Sequence, residues 1–219
     1  MNESTELPTA AGPDDDAGTA TRAALLDAGL AAFARNGFDG ASVRMITSRA
    51  GVNLGAITYH FGSKRALYEA VLDGELRPLL SRVRAASTSG GTALDRIVGI
   101  VEAYFEHLAL HPELPRLLLQ EVAAGREPPA VVREIFGEVK ETIAGLQRQG
   151  VAEGSVRPGH PVLTALSVVS QPVYLSLVAP MLRSLAGIDL SEPETRRVAI
   201  AHVTDFVRRG LQPTEGFEA

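Results

Sequence analysis

Residues 42–64, SVRMITSRAGVNLGAITYHFGSK, restrict the fold of this chain more than any other stretch. Val43, Ile46 and Ala50 recur at i, i+3 and i+7, one apolar face of a short helix. Ser42 stands just before it, where a hydroxyl can accept a hydrogen bond from a free backbone N–H. Gly51 follows, a residue that adopts positive φ without strain and so ends a helix and turns the chain. Leu54, Ile57 and Phe61 repeat the same spacing and give a second helix three apolar anchors. Its opposite face carries Gly55, Ala56, Thr58, Tyr59 and His60, which are small or polar. Two short helices about a glycine corner form a helix-turn-helix, whose second helix enters the major groove of DNA. A hairpin buried in a core would gain nothing from an outward Tyr59-His60 pair, or from Lys64-Arg65 just beyond it.

The formal net charge of −5 over 219 residues opposes DNA as a partner until the charge is located. Residues 1–19 carry −5, residues 20–68 carry +4 and the remainder −4. The basic charge is therefore concentrated on the helix-turn-helix, where phosphate contact needs it. An acidic body cannot bind DNA indiscriminately, so the fit must be local. A hydrophobic content of 45% suffices for one or two domains with a core. The absence of cysteine excludes disulfides and thiolate chemistry and suits a reducing cytoplasm, the expected location. The polar, acidic N-terminus has neither the basic nor the apolar region of a secretory signal.

Residues 1–19, rich in Pro, Gly, Ala and Asp, read as a disordered acidic tail. Residues 21–36 predict a first helix with Leu26, Leu30 and Phe33 inward, stopped at Asn36-Gly37. Ser63 can cap a fourth helix with Leu67, Val71 and Leu72 inward, which Pro78 should bend or end. Lys64 and Arg65 in its first turn oppose the helix dipole, and a bound phosphate would reverse that misfit. Residues 85–91 (AASTSGG) are a loop signal and, by loop chemistry, the best domain boundary. Further helices are expected over 92–110, with Leu94, Ile97, Val101, Phe105 and Leu108 inward, and over 114–124. Another spans 130–149, with Val131, Ile135, Val139 and Ile143 spaced by four, before a Gly/Pro-rich connection over 150–161. No strand-like alternation occurs, so the class is all-α, with about nine helices.

Residues 162–182 hold no charged side chain over 21 positions, long enough to span a membrane. Thr164, Ser167, Ser170, Gln171, Ser176, Pro172 and Pro180 favour burial in protein instead. The expected packing puts one face on the body and the other on a second copy. A last helix over 194–211 carries the stripe Ile200, Val203, Val207, Leu211. Two such helices from each chain can build a four-helix homodimer interface.

Residues 22–71 resemble the N-terminal domain of TetR-type transcriptional regulators. The matching features are the small-apolar first helix, the Gly37-Phe38 corner, Ser42-Val43-Arg44, Gly51-Val52, Tyr59-His60-Phe61 and Lys64. Thr58 stands where many members carry an aromatic. The resemblance implies a three-helix DNA-binding domain, placed at 20–66, and a helical effector-binding and dimerisation domain over 67–219. It also implies a homodimer that usually represses. A small molecule bound in the body would spread the two DNA-binding heads, with the fourth helix carrying the motion. Such a ligand must bind the spread state more tightly than the DNA-bound one. Candidate pocket residues are Tyr104, Phe105, Leu118, Glu121, Phe136, Gln171 and Tyr174.

One helix-turn-helix touches few base pairs, whereas a twofold pair reads a palindromic operator. Ser42, Arg44, Tyr59, His60 and Lys64 carry the hydroxyls and cations that suit phosphate oxygens. Asn53, Gly55, Ala56 and Thr58 are placed toward base edges, and Arg44 can instead read guanine. No enzymatic role is expected: glycine-rich phosphate loops, GxSxG and HExxH are absent, and no cofactor or metal is expected. The rival reading is a helical metal-binding protein or enzyme built on His107 and His111, spaced i, i+4 with Glu102 and Glu106 nearby. Pro112 ends the helix at the second histidine, and no further ligand set is obvious.

Overall fold

The computed structural model describes residues 13–213. Among them the chain forms nine helices and no strand: α1 Pro13–Gly40, α2 Val43–Ala50, α3 Ala56–Phe61, α4 Lys64–Ser87, α5 Ala93–Leu110, α6 Leu114–Ala124, α7 Ala130–Glu153, α8 Pro161–Ala186 and α9 Pro193–Leu211. It divides into two compact units, Met1–Val71 and Leu72–Ala219, with the division inside α4. The boundary thus falls neither at residue 66 nor at the 85–91 loop, because α4 runs on to Ser87 with Pro78 inside it.

In the first unit α1 starts at Pro13, so residues 13–19 are helical where a tail was expected; residues 1–12 of that tail lie outside the described part. Proline fixes φ near the helical value and suits a first helical position. The buried stripe of α1 is Leu25, Ala28, Gly29, Ala32 and Phe33, one residue away from the expected Leu26 and Leu30, which are half-buried. Small residues decide this offset, because they let the helix approach α4 closely. A Cβ on Gly29 would stand 3.3 Å from Val71 Cγ2 and 3.6 Å from Leu67 Cδ1. At Gly37 the backbone leaves the helical region (φ 69°, ψ 176°). Phe33, Phe38 and Tyr68 close the core, with Phe33 edge-on to Tyr68 at 4.7 Å between centroids.

In the second unit α5 is the central helix, packing with α7, α8 and α9. Its start is a reciprocal cap: Thr92 accepts from Asp95 N–H, and the Asp95 carboxylate accepts from Thr92 N–H. Leu94, Ile97, Val101, Phe105 and Leu108 are all buried, as their spacing predicts. On α7 the stripe begins at Val132 rather than Val131, and the helix runs through Gly150 to Glu153. Arg84 of α4 makes a two-pronged contact with Glu138 of α7, one arm at 2.7 Å. Arg208 of α9 meets Asp95 at 2.8 Å. Helix α8 is long and apolar enough to cross a membrane by length and composition, and only a minority of it is buried within this chain. Leu163, Leu166, Tyr174, Met181 and Leu185 on α8, and Val198 and Phe206 on α9, face solvent.

Candidate nucleic-acid interface

Ser42 caps α2 as its position predicts, accepting from Met45 N–H at 3.1 Å. Gly51 ends the helix in the left-handed region (φ 69°). Ile46 and Thr47 are the buried residues of α2; Thr47 satisfies its hydroxyl on the Val43 carbonyl at 3.1 Å. Val43 and Ala50 are only half-buried.

The reading helix is shorter than expected. α3 spans six residues, and Asn53 to Gly55 form the turn before it. Leu54 is therefore not an anchor; it is 59% exposed. Ala56 is the opposite case, buried beside Ile57 rather than turned toward base edges. Starting the helix two residues later rotates the register, so Ala56 and Ile57 supply the inward contacts and Phe61 is half-buried. The outward set is Arg44, Ser48, Arg49, Asn53, Leu54, Gly55, Thr58 and Tyr59. Tyr59 is 85% exposed, its ring edge-on to His60 at 4.8 Å. Ser48, Arg49 and Leu54 escaped the sequence reading; their signal was the face of α2 opposite Ile46 and the turn itself.

Lys64 departs furthest from its expected place. Its ammonium donates to the Phe38 carbonyl at 2.8 Å and the Ala41 carbonyl at 2.9 Å, and lies 4.4 Å from the centre of the Phe38 ring. The cation at the start of α4 is thus compensated by the carbonyls of the preceding loop, not left for a phosphate to neutralise. Arg65 also stacks over Phe38, at 4.8 Å. Ser63 caps α4 through Ala66 N–H at 3.1 Å.

Residues 25–71 match the family described as bacterial regulatory proteins, tetR family, and residues 94–207 match the tetracyclin repressor-like C-terminal domain. The chain belongs to the TetR family of DNA-binding transcriptional regulators. It is 26% identical over 198 residues to the HTH-type transcriptional regulator RutR of Escherichia coli K12, covering 89% of this chain and 92% of that one. It is 28% identical over 158 residues to the repressor KstR2 of Mycobacterium tuberculosis H37Rv, covering 71% and 79%. The solved structure of the ketosteroid transcriptional regulator KstR2 of Mycobacterium tuberculosis superposes with a TM-score of 0.72 at 22% identity, over 88% of this chain and 95% of that one. By name, these relatives are transcriptional regulators.

In the body of this TetR-family protein the predicted pocket residues separate. Tyr104, Leu118 and Phe136 line one apolar cavity. Phe105 lines a second cavity, with Ser176 and Arg196, and Gln171 a third, with Gln147 and His160. Glu121 is buried and meets Arg126 at 2.8 Å. Tyr174 is exposed on α8. The paired histidines serve helix packing. His107 is fully buried, and its Nε2–H donates to the Glu75 backbone carbonyl of α4 at 2.9 Å. His111 donates from Nδ1 to the Glu75 carboxylate at 2.9 Å, and the two rings stack at 4.1 Å. Burial, and then the neighbouring His111, push the His107 imidazole down to about 4. Among the described residues no group of three or more metal-ligating side chains is assembled.

Proposed function

We propose that this chain binds a palindromic operator as a homodimer, acts as a repressor in the cytoplasm, and releases DNA when a small molecule occupies its C-terminal body. The observation that carries the DNA part is Tyr59, a large aromatic held 85% exposed on the short helix of a helix-turn-helix. Around it stand the exposed Arg44, Thr58 and Asn53. In this reading Ser42, Arg44, Arg49, Tyr59 and His60 position the protein on phosphates. Asn53, Gly55 and Thr58 face base edges, and Leu54 offers an apolar contact for a thymine methyl. Lys64 braces the loop beneath them, and Ala56 serves the core.

The homodimer reading rests on α8 and α9, whose apolar side chains are uncovered within one chain. An apolar surface of that kind marks an interface. A twofold pair doubles the contacts of a weak single module. Selection of bound fragments from a random DNA pool tests the whole reading. An enriched inverted repeat is the expected product. Enrichment of isolated half-sites, or of nothing at low salt, overturns it.

A further inference from the structure

The body contains an open-mouthed cavity of about 250 Å³ between α4, α5, α6, α7 and α8. Its wall includes Leu76, Leu118, Ile135, Phe136 and Leu166, and no charged side chain. Two hydroxyl-bearing residues line it, Ser170 and Tyr104. Ser170 turns back to its own helix, to the Ser167 carbonyl at 3.4 Å. Tyr104 is different. It is 6% exposed, and no described residue makes a hydrogen bond to its hydroxyl. The hydroxyl is not among the buried atoms that lack a partner, so it is accessible through the open mouth, and its O–H is open to an acceptor that enters the cavity. Burial also pushes the phenol upward, so it stays a protonated donor.

Tyr104 lies where this cavity adjoins another of about 210 Å³; both also share Phe136, Val139, Leu166 and Val169. The one cation on either wall is Lys140, at the second cavity, and it is engaged by Glu141 at 3.0 Å. An anionic ligand would enter without a free counter-charge, which an apolar site penalises heavily.

We propose that this cavity takes an uncharged, mostly apolar molecule carrying one hydrogen-bond acceptor, a ketone or ester carbonyl, to which the Tyr104 hydroxyl donates. An apolar cavity of roughly 150 Å³ holds benzene, so this one holds roughly ten non-hydrogen atoms in proportion. The assignment rests on the reading that the body is the effector site, and gives that effector a chemical class.

The test uses three bicyclic probes of similar size on the full-length protein: tetralone, tetralin and naphthoate. Binding is followed by calorimetry, and DNA release by fluorescence anisotropy of a labelled operator. Tetralone is expected to bind tightest, and naphthoate roughly tenfold or more weaker. Tyr104→Phe should weaken tetralone about fivefold, the worth of one neutral hydrogen bond, and leave tetralin unchanged. Leu166→Trp, at the half-exposed mouth, should block both neutral probes. Naphthoate binding as well as tetralone, no effect of Tyr104→Phe on tetralone, or binding of none of the three overturns the proposal. Selective tetralone binding without DNA release keeps the ligand class and removes the effector reading. DNA release by naphthoate alone keeps the effector reading and removes the ligand class.

Discussion

The two units differ most in what they leave uncovered. The first closes its core with Phe33, Phe38 and Tyr68 and exposes arginines, hydroxyls and an amide around Tyr59. The second buries α5 and exposes leucines, a methionine and a phenylalanine along α8 and α9. Both cores have ordinary apolar packing, so core composition does not distinguish them. The outer surfaces do: one suits a hydrated polyanion, the other a partner that excludes water.

The largest effect should come from giving the second surface the character of the first. If the proposed homodimer forms through this surface, Leu163→Glu combined with Phe206→Glu should leave the chain monomeric and weaken operator binding by roughly a hundredfold or more, since each half-site module alone binds weakly. Sedimentation velocity and gel shift check it. An unchanged sedimentation coefficient would place the interface elsewhere.

Next is a change confined to the core of the second unit. A Cβ on Gly150 would stand 2.4 Å from Val156 Cγ2 and 3.2 Å from Ala93 Cβ. Gly150→Ala should cost about 2 kcal/mol of stability by overpacking. Urea unfolding monitored by circular dichroism measures this.

A comparable loss should follow acidification. His107 has its folded pKa depressed to about 4 from an ordinary 6.5. Between those values the unfolded chain binds more protons, so stability falls as pH drops through that window and is intact above it. The loss is on the order of 3 kcal/mol at pH 4. Urea midpoints between pH 7 and 4 should show this slope, and His107→Gln should flatten it.

The smallest effect belongs to the polar surface, where each contact is one of many. Tyr59→Ala should weaken binding to all DNA sequences alike, by about fivefold for one lost phosphate hydrogen bond. A changed sequence preference at constant overall affinity would move Tyr59 from phosphate to base.

Periodicity made the large features legible. The all-α class, the Ser42 cap, the Gly51 turn and the α5 stripe follow from spacing and local backbone chemistry alone. Errors arose where tertiary packing chooses between neighbouring registers. Leu26 and Leu30 looked like the inward face of α1 because they are the larger groups, yet close approach favours Ala28, Gly29 and Ala32. Leu54 fitted a helical repeat, but the helix starts after it. The pocket residues scattered because no spacing rule says which of three cavities an aromatic will face.

Lys64 shows what such a misplacement can mean. Its ammonium, at the first residue of α4, grips the carbonyls of Phe38 and Ala41, and Ser42 and Arg44 follow directly in the chain. Any twist of that first turn must therefore drag the 38–41 corner with it, displacing the start of α2, which is proposed to face phosphate, while α3 keeps its own shape. Grip on the DNA strand and choice of base would then be separable properties, adjustable one without the other.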